Sequence, residues 1–64
     1  MYSIYLPNFG YNINTQPSTL DYAIEIATGT GYHALIYLNK PDGQELVAEY
    51  SPISGIRHYK QNVN

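Results

Sequence analysis

The sequence predicts a small α+β fold of the β-α-β-β type, one helix packed on a three-stranded antiparallel sheet. Three observations predict it. Apolar residues alternate at the start of the chain (Tyr2, Ile4, Leu6), recur at helical spacing in the middle (Leu20, Ala23, Ile24, Ala27), and line a long hairpin after that. The hairpin is the most informative. Tyr32–Asn39 and Glu45–Ser51 flank the turn sequence Lys40-Pro41-Asp42-Gly43-Gln44. Pro41 presets φ, Asp42 bonds its own backbone, and Gly43 accepts φ > 0. Pairing Lys40 with Gln44 puts Leu38 opposite Leu46, Ile36 opposite Ala48 and Ala34 opposite Tyr50 on one face. The other face then pairs Tyr37 with Val47, Leu35 with Glu49 and His33 with Ser51.

The elements come in order. Met1–Leu6 reads as a strand, and Pro7-Asn8-Phe9-Gly10 as a turn. Tyr11–Thr15 is either a short strand pairing back onto the first or an ordered loop, and Asn12 and Asn14 favour the loop. Ser18 is a good N-cap, with Asp21 three residues on. Leu20, Ala23, Ile24 and Ala27 form one helical face, with Asp21, Tyr22 and Glu25 opposite and Ile26 at the margin. Gly29-Thr30-Gly31 ends the helix through a left-handed cap. About ten residues make no stable helix alone, so this one must dock on the sheet, against Ile4, Ile36, Leu38, Leu46, Ala48 and Tyr50. The first strand is expected beside the third, antiparallel, in the order 1-3-2. A right-handed parallel crossover beside the second is the alternative. Pro52 ends the last strand. Residues 53–56 turn into a short extended tail. Residues 1–60 form one domain, and Gln61–Asn64 read as a disordered C-terminal tail.

Composition narrows the function classes. A chain of 64 residues has room for one core and buries only about 60% of its unfolded surface. It has no Cys, hence no disulfide framework and no thiolate metal site. Two lone histidines, His33 and His58, make no zinc site. No cofactor and no metal are expected. A net charge of −2 argues against a general phosphate-backbone binder. The longest apolar run, Ala34–Leu38, is far too short to span a membrane, and the first residues lack a basic n-region, so no signal peptide is expected. The expectation is a cytoplasmic protein.

Catalytic patterns are absent. Ser51 and Ser54 have no nucleophile elbow, and there is no HExxH and no paired-carboxylate spacing. Gly29-Thr30-Gly31 follows a helix, whereas phosphate loops open one. The chain is therefore expected not to be an enzyme. Its eight tyrosines suit a binding surface, since tyrosine gives large contact area at low entropic cost. Tyr5, Leu35, Tyr37 and Val47 are expected to form an apolar patch on the sheet face away from the helix, rimmed by Glu45, Glu49 and His33. Tyr5, Leu35, Tyr37, Val47 and Glu49 are the expected partner contacts. The alternative covering is the loop bearing Phe9, Tyr11 and Ile13, folded over that face. A second reading places a nucleic-acid contact on Arg57, His58, Tyr59 and Lys60, although nucleic acid is the less expected direct partner. A third is a homodimer.

Thr19-Leu20-Asp21-Tyr22-Ala23-Ile24-Glu25-Ile26-Ala27, a glycine break and a hairpin resemble the helix-and-hairpin part of small phage-encoded β-α-β-β inhibitors. These include anti-CRISPR proteins and a short phage inhibitor of host RNA polymerase. The resemblance covers roughly residues 18–50. It implies stoichiometric binding and blocking of a protein or ribonucleoprotein complex of the host, in the host cytoplasm. Several such inhibitors carry Lys or Arg on the sheet, where this chain has Tyr, Leu and Glu, so no functional residue carries over.

Overall fold

A computed structural model describes residues 1–59. The expectations for Lys60 and for a disordered tail at 61–64 lie outside the described residues. The chain is α+β, as the pattern predicts, but among the described residues the sheet has five strands rather than three. The strands are β1 (Tyr2–Leu6), β2 (Tyr11–Asn12), β3 (Ala34–Lys40), β4 (Gly43–Ser51) and β5 (Gly55–His58), and the helix α1 is Leu20–Thr30. The sheet order is β2-β1-β3-β4-β5, antiparallel throughout.

Neither expected placement of the first strand is found. β1 lies beside β3, and antiparallel to it, with Ile4 opposite Ile36 and Tyr5 opposite Leu35. The segment expected to be a loop explains this. Tyr11 and Asn12 pair back onto Leu6 and Tyr5. The Ile13 N–H then donates to the Ile4 carbonyl at 2.8 Å, and the Tyr2 N–H to the Pro17 carbonyl at 2.9 Å. The chain thus returns along β1 to its beginning before the helix starts. The helix runs about 16 Å back up the sheet, and β3 must descend beside β1.

Thr19, rather than Ser18, is the N-cap. Its backbone is extended and its hydroxyl accepts the Tyr22 N–H at 3.2 Å. Asp21 sits in the first turn, where a negative charge favours the helix dipole. Gly31, at φ 73°, closes the other end, as the glycine break predicts. Ala23 and Ala27 are fully buried and let the helix backbone close onto the sheet, where Ala34 and Ala48 are equally small. Ile4, Leu6, Ile36 and Val47 complete the core, and Tyr2, Ile13, Leu20, Ile24, Leu38 and Tyr50 pack around it. Each large buried side chain contributes about 2 kcal/mol.

The hairpin register holds at Ala34–Tyr50, Leu35–Glu49 and Ile36–Ala48 and changes beyond them. Lys40 pairs with Gly43 instead of Gln44, so the turn has two central residues, Pro41 and Asp42. The residue saved there reappears as a β-bulge. Ile36 opposes Ala48 and Tyr37 opposes Leu46, which leaves Val47 without a partner on β3. The bulge exchanges two side chains between the faces. Val47, expected on the open face, is 2% exposed in the core. Leu46, expected under the helix, lies opposite Tyr37.

The last strand comes from the segment expected to be a tail. Ser51 pairs with Gly55 across a three-residue turn, and Tyr50 with Ile56. Gly55 takes φ 82°, the left-handed turn position that glycine fills without strain. Pro52 ends β4 as expected, but the chain re-enters the sheet.

Candidate functional site

The helix covers one face of the sheet. On the other face, one row crosses all five strands: Asn12, Tyr5, Leu35, Glu49, Arg57. A second row holds Ser3, Tyr37 and Leu46. Tyr5, Leu35, Tyr37 and Leu46 are half-buried, and none of them packs on the helix-side core. The loop alternative fails as a cover. Ile13 packs on the core, and Tyr11 pairs with core-facing Leu6. Phe9 packs edge-on against Tyr32, with centroids 4.9 Å apart.

Polar groups bound the patch at two ends. Near the β3–β4 turn, the Asn39 Nδ2 donates to the nearly buried Ser3 Oγ at 2.9 Å, and the Gln44 Nε2 donates to the Asn39 Oδ1 at 2.7 Å. Lys40 and Glu45 pair at 3.0 Å beside the turn, and the carboxylate holds the Lys40 ammonium above its ordinary range. Glu45 lies opposite Leu38, on the helix side, and is not part of the rim of the open face.

At the other end, Glu49 is a junction. The Tyr59 hydroxyl donates to its Oε1, and the His33 Nε2 meets its Oε2. These two bonds, Tyr59 first, hold the Glu49 carboxyl below the usual carboxylate range, and the charge of nearby Arg57 adds to them. The reciprocal effect raises the Tyr59 phenol. Two clefts open on either side of Glu49 and share it with Ser51 and Ser54. One, of about 540 Å³, runs toward Tyr32, His33 and Ile53; the other, of about 430 Å³, runs toward Ile56 and Arg57.

Of the expected contacts, the structure groups Tyr5, Leu35, Tyr37 and Glu49 and removes Val47. The basic quartet is divided. Arg57 and Tyr59 flank Glu49, His58 pairs with Ala48 and so faces the helix side, and Lys60 lies outside the described residues. The Glu49 carboxylate, opposite Arg57 on the neighbouring strand and bonded by Tyr59, places a negative charge beside that segment, which disfavours a phosphate ligand there. Leu46 is the open-face residue that sequence reasoning missed. Its signal was the two-residue Pro41-Asp42 turn, which shifts the register by one. Among the described residues, no group of three or more His, Asp or Glu side chains could hold a metal ion, and no serine bonds a histidine. No described helix is long and apolar enough to cross a membrane. Compared with protein families, with curated proteins and with solved structures, the chain matches none.

Proposed function

We propose that this chain is a small non-enzymatic interaction protein that binds and blocks a macromolecular partner through the open face of its sheet. The observation that carries the reading is the contiguous, half-buried set Tyr5, Leu35, Tyr37 and Leu46 on the face the helix leaves uncovered. Apolar patches with polar rims mark interaction sites, and tyrosine is enriched among the residues that dominate binding energy. The phage-inhibitor resemblance of residues 18–50 supports a host protein or ribonucleoprotein complex as the partner, met in the host cytoplasm.

The test is capture from a bacterial lysate with tagged chain and with its Tyr37→Ala/Leu46→Ser variant, read by mass spectrometry. The expected result is one stoichiometric complex with the parent chain and none with the folded variant. Equal recovery by both rejects the sheet face as the contact.

A further inference from the structure

We propose that the cleft between Tyr32 and the Pro52–Ser54 turn receives the guanidinium of an arginine side chain presented by the binding partner. The inference rests on the sheet-face reading and adds a charged anchor at its edge. Tyr32, His33, Glu49, Ser51, Ile53 and Ser54 are among the residues that line the cleft. Among the described residues, no Lys or Arg lines it.

Charge complementarity picks the occupant. Glu49 is the only acidic side chain among the described residues that line the cleft, and it is held in place from two directions by Tyr59 and His33. Those two bonds use one acceptor site on each carboxylate oxygen. A carboxylate offers about four such sites, so each oxygen keeps one for an incoming donor. Arg57 stands opposite Glu49 on β5 but forms no ion pair with it among the described residues, and His33 is an ionic partner of Glu49 only when its imidazole is protonated, so beside a neutral His33 the carboxylate keeps its charge toward the cleft.

The remaining lining suits a planar cation better than a compact ammonium. A guanidinium carries five N–H donors in one plane and stacks on aromatic faces. The Ser51 and Ser54 hydroxyls offer further acceptors. Tyr32 is half-exposed, and Phe9 buttresses its ring edge-on at 4.9 Å. A cation against such a ring gains a further attraction. Ile53, 97% exposed at the tip of the turn, is placed to cover the aliphatic stem.

The probe is N-acetyl-arginine amide, titrated into isotope-labelled chain and followed by amide chemical shifts. N-acetyl-citrulline amide, of the same shape without the charge, and N-acetyl-glutamate amide serve as controls. The expected result is saturable shifts at Tyr32, His33, Glu49, Ser51 and Ser54 with a dissociation constant in the millimolar range. The arginine probe should bind at least about ten times more tightly than the citrulline probe. Glu49→Gln should abolish the difference. Tyr32→Ala, at an exposed position, should weaken the arginine probe several-fold, with spectral changes confined to the surroundings of position 32 and Phe9. Absence of saturable shifts, equal binding of citrulline, or full arginine binding in both variants overturns the proposal. Because the titration needs no partner, its failure leaves the lysate-capture result standing. A failed capture likewise leaves the titration interpretable.

Discussion

The Tyr59 hydroxyl donates its hydrogen bond to Glu49, ten residues earlier in the chain. The bond fastens the end of the described chain to the middle of β4, and with His33 it fixes the only carboxylate in the row that crosses all five strands. The charge at the edge of the open face depends on the ionisation of that group, and the stability of the fold is expected to follow it.

Stability should vary with pH through this pair. A carboxyl whose folded value is depressed contributes stability above its unfolded value of about 4.3. That contribution is lost as pH falls through the depressed value. Tyr59 behaves oppositely. Its raised phenol contributes stability below its unfolded value of about 10, which is lost as pH rises through the raised value. Glu49→Gln should therefore melt at lower temperature than the parent at neutral pH and converge with it in acid. Tyr59→Phe should show a flatter decline at both extremes. Melting curves across the pH range check both, and parallel curves for all three chains contradict the bond's role.

The bulge sends two neighbours to opposite faces, Val47 into the core and Leu46 onto the open side. Val47→Ala should cost about 2 kcal/mol, a fall of roughly 10 °C in melting temperature for a chain this short. Leu46→Ala should cost about 1 kcal/mol or less. Thermal unfolding decides, and the reverse ranking would mean that the hairpin keeps the simple register.

At the helix start, Thr19→Ala removes the acceptor of the Tyr22 N–H and should cost about 1 kcal/mol, whereas Ser18→Ala should be nearly silent. Denaturant unfolding of the two variants separates them. A larger loss at Ser18 would move the cap back to the position its sequence suggests.

The helix and the outer half of the hairpin were legible because their signals are periodic and repeat over several residues. Ala23, Ile24 and Ala27 mark one helical face, and Ala34, Ile36, Ala48 and Tyr50 alternate across two strands. The features that were not legible depend on single residues or on short pairings. Asn12 disfavours a strand locally, but backbone bonds from Ile13 and to Pro17 carry the segment back along β1, and this reversal decides which strand lies beside it. Pro52 does end β4, yet Gly55 at positive φ lets Ile56 and Arg57 rejoin the sheet. Val47 changed faces because the chain closed its turn on two residues instead of three, and alternation alone cannot register one extra residue. For the site, Tyr5, Leu35, Tyr37 and Glu49 came from counting alternate positions. The bond between Glu49 and Tyr59 required knowing that a fifth strand exists.

If partners bind the sheet face opposite the helix, the absence of native cysteine allows a direct test. Single cysteines are placed at Tyr37 on the open face and at Tyr22, which is half-exposed on the helix. Each is coupled to a bulky maleimide and assayed for binding to the captured complex. The adduct at position 37 is predicted to block binding, and the adduct at position 22 to leave it intact. Undiminished binding with the adduct at 37, or its loss with the adduct at 22, would contradict the sheet-face assignment.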